Sequence, residues 1–316
     1  MHVLLCPDSF KESMSALEFC KYTSACIKEI HPDWDVTSIP MADGGEGSLD
    51  AILPYLKNPH WKTVPCVDAI HRPMEATYLI SDDIAYIELA KTSGLASIEK
   101  DKRDIMKANT FGTGMVLQDA ISENVKEVIL FAGGSATVDA GTGIMQALGL
   151  TLLDKNNKVI PTSINALPLV SSLKIDKNKL PSGLDFKIIC DVSNPLNGPR
   201  GAAHIYGPQK GASEKEVKVL DAGTEHLSTL FRDMGIDINT EKPGMGAAGG
   251  IALATALLNP QLIQGASYFI QKTLLEEHID KADLIITGEG RYDAQSRMGK
   301  ITGEIIQRAK EKRKKL

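Results

Sequence analysis

Long apolar runs and grouped cysteines are both missing from this sequence of 316 residues. No apolar run approaches the roughly 20 residues that a transmembrane helix needs, and the N-terminus lacks the basic segment of a signal peptide. We therefore expect a cytoplasmic protein with no membrane partner. The cysteines are odd in number and show no CxxC spacing, which argues against a zinc site and against a disulfide framework. They are Cys6, Cys20, Cys26, Cys66 and Cys190.

Positive charge and several well-known catalytic motifs are also missing. The formal net charge is -5, which argues against nucleic acid as a partner, and the one basic run, residues 310–315, is typical of a solvated helix end. The chain has no GxxxxGK[ST] phosphate loop, no HExxH motif and no GxSxG elbow. We therefore expect neither a P-loop nucleotide site, nor zinc protease chemistry, nor serine hydrolase chemistry.

What the sequence does contain is an alternation of apolar strand patterns and helical patterns. Residues 2–6 and 36–39 predict strands on either side of a helix. Ser15 is the expected N-cap of that helix, and Glu18 completes a capping box. This β-α-β order favours the start of a parallel sheet, and therefore an α/β fold.

The middle of the chain has a different pattern. Short strand-like runs over residues 63–89, separated by turn residues, predict an antiparallel meander and a second domain. The apolar strand at residues 283–287 resembles the first two strands of the chain. If Leu4 and Ile285 lie on neighbouring strands, the middle of the chain is an insertion into a domain built from both ends.

A glycine-rich acidic loop follows the second predicted strand. Residues 41–47 read Met-Ala-Asp-Gly-Gly-Glu-Gly, and a helical pattern begins at Ser48. A carboxylate loop that faces polyphosphate needs a cation between them, and Mg²⁺ is usually held by one or two carboxylates plus substrate phosphates. Asp43 and Glu46 therefore predict a magnesium-bridged phosphate site. The alternative is a glycine turn whose glutamate favours the helix dipole.

Five predicted strands end close to an acid. In open α/β sheets, ligands bind at the carboxyl ends of the strands, so these acids could converge on one cleft. A single loop aspartate is more often a turn residue, which is the alternative for each of them. The acids are Asp8, Asp43, Asp139, Asp191, and the pair Glu289 and Asp293.

Two further loops carry groups suited to anion binding. Residues 133–141 combine glycines with Ser135 and Thr137, whose backbone and hydroxyl groups can donate to an anion. A tight turn into a helix is the alternative. The GxGxxG pattern at residues 244–249 is weak as a dinucleotide fingerprint, because no clear strand precedes it. Close packing of small residues, or a second phosphate contact, explains it as well.

Six motifs occur in order over nearly the whole chain, and together they closely resemble the bacterial type I glycerate kinases. They are Pro7-Asp8-Ser9-Phe10-Lys11-Glu12-Ser13, Ala42-Asp43-Gly44-Gly45-Glu46-Gly47, Gly133-Gly134-Ser135-Ala136-Thr137, Cys190-Asp191-Val192 with Asn194-Pro195-Leu196, Gly207-Pro208-Gln209-Lys210-Gly211, and Thr287-Gly288-Glu289-Gly290-Arg291 with Asp293.

The resemblance implies two α/β domains. One is a discontinuous, flavodoxin-like parallel-sheet domain of residues 1–62 and 272–316, and the other is a mixed-sheet α/β domain of residues 63–271 inserted into it. Family members normally continue beyond the position of Leu316, so we expect the C-terminal strands of the first domain to be missing. They also usually have Asn-Asp-Gly-Gly where this chain has Val138, Asp139, Ala140 and Gly141.

The resemblance also implies ATP-dependent phosphorylation of D-glycerate with Mg²⁺, giving 2-phosphoglycerate, although the residues themselves leave the choice of hydroxyl open. We hypothesise direct in-line transfer of the γ-phosphoryl group. Asp43 and Asp191 are the candidate acids, one acting on the hydroxyl and the other on Mg²⁺. Lys11 and Arg291 would hold the substrate carboxylate and the phosphoryl charge.

The same hypothesis assigns the remaining contacts. The contacts to the phosphates of ATP would come from Gly133, Gly134, Ser135, Thr137 and Lys210. The contacts to Mg²⁺ would come from Asp191, Glu289 and Asp293. Two rivals stay open: an NAD-dependent dehydrogenase that uses the loop at Gly244, and a non-catalytic protein that binds glycerate or nucleotide. The sequence is compatible with a homodimer and leaves the oligomeric state open.

Overall fold

The computed structural model describes residues 1–10, 13–292 and 300–316. Its strands are β1 His2–Leu5, β2 Asp35–Ser38, β3 His60–Val67, β4 Pro73–Ser81, β5 Ile84–Glu88, β6 Glu127–Phe131, β7 Leu150–Leu153, β8 Ser172–Ile175, β9 Asp185–Cys190, β10 Gln261–Gln264 and β11 Leu284–Ile286. Its α-helices are α1 Ala16–Ile30, α2 Ser48–Ile52, α3 Ala90–Ser93, α4 Phe111–Ser122, α5 Thr142–Ala147, α6 Ala202–Tyr206, α7 Glu214–Asp233, α8 Gly265–Lys272, α9 Leu275–Lys281 and α10 Ile301–Glu311. Over these ranges, none of the helices combines the length and the apolar character that crossing a membrane requires.

The chain divides into two compact units. A parallel-sheet unit joins Met1–Lys57 to Ile263–Leu316, and a mixed-sheet unit is the continuous stretch Asn58–Leu262. The sequence pattern places these boundaries a few residues later, after residues 62 and 271. The difference arises because β3 already begins at His60 and pairs with β4 along its whole length. In addition, α8 contacts α9 and α10, so it belongs with the last part of the chain.

The parallel-sheet unit is built on three parallel strands in the order β11-β1-β2. Leu4 lies opposite Ile285, which is the pairing that the strand pattern predicts. The central strand β1 is fully buried from Val3 onward, and its side chains pack with Cys20 of α1. Because the three strands run in the same direction, their carboxyl ends lie at one edge of the sheet.

The two longest helices begin with the same local signal. Ser15 caps α1 by accepting from the backbone of Glu18, whose side chain reaches back to the cap. Ser213 and Glu216 form the equivalent capping box at the start of α7. Each capping box satisfies backbone donors that a helix otherwise leaves without partners, and the first is the box that the sequence predicts.

The mixed-sheet unit is organised around six strands in the order β10-β9-β6-β5-β4-β3. Strands β3, β4 and β5 form the predicted antiparallel meander, whereas β5, β6 and β9 are parallel. The core on this sheet includes buried apolar residues of α4, α5 and α7. The parallel centre of the sheet therefore gives this unit its own edge at which three strand ends meet.

Two segments differ from the sequence expectation. Residues 154–185 are polar and read as loop, yet they contain β8, which pairs with β7 as a small separate hairpin. A predicted α-helix from Ile251 to Leu258 is instead a 3₁₀ segment at Ala254–Leu258. Gly249 and Gly250, just before this segment, take left-handed backbone angles, so no continuous helix runs through them.

Candidate functional site

In the parallel-sheet unit, acidic loops follow all three strands. Asp8 follows β1, Asp43 follows β2 and Glu289 follows β11. Backbone hydrogen bonds hold these loops side by side: the Asp8 N–H donates to the Gly288 carbonyl at 2.8 Å, and the Met41 N–H donates to the Pro7 carbonyl at 2.9 Å. The sheet order alone thus brings three of the predicted acidic loops to one edge.

The loop at Asp43 is a tight turn that opens α2. The Asp43 Oδ1 accepts from the Gly45 N–H at 3.1 Å, and the Ser48 hydroxyl donates to the Gly45 carbonyl at 2.7 Å. Asp43 is half-buried and Glu46 is exposed. One oxygen of Asp43 therefore takes part in the turn, and the turn fixes the orientation of the carboxylate.

Helix α8 approaches this loop so closely that only glycine fits at its first position. A Cβ on Gly265 would lie 1.7 Å from the Asp43 carbonyl oxygen. Gly265→Ala is therefore expected to lower the free energy of unfolding by about 1–3 kcal/mol and to displace the Asp43 loop. Urea unfolding measures the first effect. Ser267→Ala, on the exposed face of the same helix, should leave stability nearly unchanged, and equal stabilities for both variants would contradict the prediction.

The loop after β11 presents a carboxylate with an unusual environment. The Thr287 hydroxyl donates to the Cys6 carbonyl at 2.8 Å, which ties this loop to β1. One oxygen of Glu289, Oε1, is buried and has no hydrogen-bond partner in the described part of the chain. Arg291 is exposed. The predicted residues Lys11 and Asp293 lie outside the described residues.

In the mixed-sheet unit, the candidate phosphate loop follows β6. Two backbone hydrogen bonds fix this loop to the segment after β5. The Leu95 N–H donates to the Gly134 carbonyl and the Ala136 N–H donates to the Ser93 carbonyl, both at 2.8 Å. Gly133 is half-buried and Gly134 is exposed, whereas Ser135 and Thr137 are buried. The Thr137 hydroxyl has no hydrogen-bond partner among the described residues. The loop is thus a fixed turn that carries an unsatisfied polar group.

Lys210 lies against this loop. Its side chain is in the 3₁₀ turn Pro208–Lys210, it is only 4% exposed, and its Nζ donates to the Ser135 Oγ at 2.7 Å and to the Thr137 carbonyl at 2.8 Å. Burial lowers the pKa of Lys210 to about 7, and the charge of Asp139 opposes that shift. Three of the five predicted phosphate-binding residues, Ser135, Thr137 and Lys210, therefore form one hydrogen-bonded group.

Asp139 has a role that differs from the other strand-end acids. It is fully buried, and its carboxylate accepts four hydrogen bonds, from the Thr110 N–H, the Thr110 hydroxyl, the Gly141 N–H and the Gly143 N–H. Burial raises the pKa of Asp139 despite these donors. Because four donors of the protein already occupy the carboxylate, Asp139 holds loops together and does not join a ligand-facing set. This differs from the expectation that the acids at all five strand ends converge.

Asp191 is the first residue after β9 and is half-buried. Close to it, the Tyr206 hydroxyl donates to the Asn194 Oδ1 at 2.5 Å, and the Asn194 amide donates to the Arg200 carbonyl at 2.8 Å. Burial, with a further contribution from the charge of Asp191, raises the pKa of Tyr206 to about 12. Tyr206 also places its ring 5.8 Å from the Lys210 Nζ, so it lies between the Asp191 loop and the Lys210 turn.

The GxGxxG loop is a packing element. A Cβ on Gly246 would lie 2.5 Å from the Pro195 carbonyl oxygen, and one on Gly249 would lie 2.1 Å from the Thr137 carbonyl oxygen. The segment follows the turn region after α7 and not a strand. Its glycines let the chain run close against the loops after β6 and β9, which is the close-packing alternative and does not fit the first turn of a dinucleotide fold.

Sequence reasoning missed several polar residues that support these loops. Thr110 provides two of the four donors to Asp139, and the Asn165 amide donates to the Val138 carbonyl at 2.8 Å. Tyr206 was missed as well, although it directly precedes the Gly207 motif. Thr110 and Asn165 are far from Asp139 in the chain, so no local sequence signal indicates them.

A magnesium site needs few protein ligands. In the described ranges there is no cluster of three or more His, Cys, Asp or Glu side chains suited to a metal ion. Mg²⁺ is usually held by one or two carboxylates while phosphates and water supply the rest. The Oε1 of Glu289, which is buried and has no partner among the described residues, fits such a ligand, as does the half-buried carboxylate at Asp191. Each of these carboxylates, taken singly, therefore has the chemistry of a ligand to a hard cation.

Comparison with known proteins identifies one family that matches nearly the whole chain. Residues 3–316 match the model of the glycerate kinase family. The sequence is 38% identical over 316 residues to a glycerate kinase of Halalkalibacterium halodurans, covering 98% of this chain and 82% of that protein. It is also 38% identical over 315 residues to the glycerate 2-kinase of Escherichia coli K12, covering 95% of this chain and 80% of that protein.

The fold has a solved counterpart. The structure is similar to a crystal structure from Salmonella typhimurium LT2 that is described as glycerate kinase 2, with a TM-score of 0.82 and 36% sequence identity. The match covers 99% of this chain and 85% of that one. The α/β class, with a parallel-sheet part and a mixed-sheet part, is therefore shared with that protein.

Proposed function

The chain belongs to the glycerate kinase family, and from this premise we propose that it transfers the γ-phosphoryl group of ATP to D-glycerate, giving 2-phosphoglycerate and ADP. The family match spans residues 3–316, so the proposal rests on the whole described chain. The E. coli relative is described as a glycerate 2-kinase, which supports transfer to the 2-hydroxyl.

One observation carries the assignment to this chain's own residues. The loop after β6 is held rigidly at the ends of parallel strands, a buried lysine contacts it, and the buried Thr137 hydroxyl has no partner in the described structure. An unsatisfied buried hydroxyl costs free energy until a ligand pairs with it. A nucleotide phosphate supplies the acceptor oxygens that Thr137, Ser135 and the exposed backbone of Gly134 can address.

The acids take the roles that phosphoryl transfer leaves to the protein, which are positioning and electrostatic stabilisation. Asp191 orients and deprotonates the glycerate hydroxyl or holds Mg²⁺, and Asp43 takes the other role. Glu289, with Asp293, supplies further carboxylate oxygens for the cation. These carboxylates would hold Mg²⁺, which would supply positive charge to offset that of the transferring phosphate. Lys11 and Arg291 hold the glycerate carboxylate, for which the guanidinium of arginine is suited.

A coupled assay that follows ADP release with D-glycerate, ATP and Mg²⁺ tests the proposal. We expect ADP release to depend on D-glycerate and to stop when Mg²⁺ is removed by a chelator. Phosphorus NMR of the product distinguishes 2-phosphoglycerate from 3-phosphoglycerate. The 3-isomer as product would overturn the choice of hydroxyl and leave the kinase assignment intact.

The same samples separate the rival functions. A protein that binds glycerate or nucleotide and never releases ADP would be a binding protein, which overturns the proposal. Reduction of NAD in the presence of glycerate would indicate a dehydrogenase, an outcome that the crowded glycines at Gly246 and Gly249 argue against.

A further inference from the structure

We propose that Lys210 is a positioning residue that acts through Ser135: its ammonium group forces the Ser135 hydroxyl to donate its proton to a phosphate oxygen of the nucleotide. This inference rests on the proposed function, and it replaces direct contact between Lys210 and phosphate with an indirect role. Lys210 is only 4% exposed and its Nζ is already committed to two acceptors in the loop.

The argument starts from what each group can donate. An ammonium group has three donors and no acceptor, whereas a serine hydroxyl has one donor and two acceptor lone pairs. At 2.7 Å from the Lys210 Nζ, the Ser135 Oγ must therefore be the acceptor. The Ser135 O–H must then point toward a different acceptor, and the described residues provide no such acceptor.

The backbone around Ser135 is fixed, so the hydroxyl stays in contact with the Lys210 ammonium group. The neighbouring Gly134 and Ala136 are both hydrogen-bonded to the segment after β5, and Lys210 also holds the Thr137 carbonyl at 2.8 Å. The loop is thus fixed on both sides of Ser135. With the lysine charged, the bound state needs no reorientation of the hydroxyl, and this is the advantage of a preorganised donor.

The role of the Ser135 hydroxyl as a donor to phosphate depends on the protonation of Lys210. Once the side chain is a neutral amine, its lone pair can accept from Ser135, and the hydroxyl can turn inward. The charged and titratable side chains around the Pro208–Lys210 turn are Asp139, whose charge favours the protonated lysine, Tyr206, whose ring lies near the ammonium, and Arg103, which donates to the Gln209 carbonyl. Burial brings the pKa of Lys210 to about 7, so the loss of the proton falls within an accessible pH range.

Three variants test the inference: Lys210→Met, Ser135→Ala and the double variant. Calorimetric titration with MgATP measures affinity without requiring turnover, and the kinase assay gives KM and kcat. We expect each single variant to bind MgATP about tenfold more weakly or worse, as for the loss of one hydrogen bond to a charged group. Because Lys210 acts through Ser135, the double variant should be no weaker than the poorer single variant.

The pH dependence supplies a readout that a merely structural lysine would not move. We expect the ratio of wild-type affinity to Lys210→Met affinity to fall toward one as the pH rises through about 7 and beyond, and the ratio of wild type to Ser135→Ala to fall over the same range. Taking ratios at each pH removes the titration of ATP itself. KM for ATP should follow these ratios, while kcat changes less.

Several outcomes would overturn the inference. They are additive losses in the double variant, a pH-independent ratio for Ser135→Ala, or unchanged MgATP affinity in Lys210→Met. If Lys210→Met does not fold, Ser135→Ala alone decides through its pH-dependent ratio. MgATP binding with the expected pattern but without ADP release from glycerate would leave this inference standing and overturn the proposed function, so the two failures are distinguishable.

Discussion

Replacing Asp191 by asparagine should lower kcat by about 10²- to 10⁴-fold, the usual contribution of a positioned general base. Asp191 directly follows the last residue of β9, at the edge where the ends of β5, β6 and β9 meet. Asparagine keeps the size and most of the hydrogen bonding of the side chain, but it can neither take the glycerate proton nor offer a charged ligand to Mg²⁺. The loss should therefore appear in turnover, with the fold intact.

The matched control lies at the other end of the same strand. Asp185 begins β9 and contacts Lys187 and Gln261, so Asp185→Asn changes the same chemistry far from the strand's carboxyl end. We expect its kcat to stay within a few-fold of wild type. Thermal unfolding of both variants separates a catalytic loss from a folding defect, and an Asp191→Asn enzyme as active as the control would remove Asp191 from the mechanism.

Much of the fold could be predicted because its signals are local. The β1 and β11 patterns are short and apolar, and an acid follows each of them closely, which suggested that Leu4 and Ile285 are neighbours. The capping box at Ser15 and Glu18 marks the start of α1 within four residues of sequence. By contrast, β8 has only four residues, two polar and two apolar, and is only partly buried, so its pairing with β7 leaves little trace in the pattern.

The candidate site was harder to predict because burial is not a local property. Ser135, Thr137 and Lys210 were selected as phosphate contacts, but the sequence could not reveal that Lys210 is buried behind the loop. Asp139 looked like the other strand-end acids until its four donors were visible. Roles that depend on which side of a loop faces solvent need the packing of distant segments.

The departure at residues 138–141 illustrates the same point. Where the family pattern has Asn-Asp-Gly-Gly, Val138 is fully buried, and its backbone carbonyl, not its side chain, makes the polar contact with Asn165. Ala140 takes a left-handed φ of 53°, a conformation in which glycine is less strained. At both positions the backbone, and not the side chain, makes the hydrogen bonds that hold the loop.

Asp139→Ala is expected to produce the largest loss of stability among the substitutions considered, about 3–5 kcal/mol. The substitution leaves four buried donors, from Thr110, Gly141 and Gly143, without an acceptor. It also removes the negative charge that favours the protonated form of the buried Lys210. The substitution also removes the free-energy cost of burying a carboxylate, which is the cost that raises the pKa of Asp139. This gain offsets only part of the loss.

Asp154 offers the comparison that isolates burial from hydrogen bonding. Its carboxylate likewise accepts from two backbone N–H groups in a turn, those of Asn156 and Lys158, but these two hydrogen bonds are exposed to solvent. Water can replace an exposed acceptor, so Asp154→Ala should shift the urea midpoint only slightly. If the two variants lose similar stability, the buried carboxylate is not what joins the loop after β6 to the start of α4 and α5. The rigidity on which the Ser135 donor depends would then need another source.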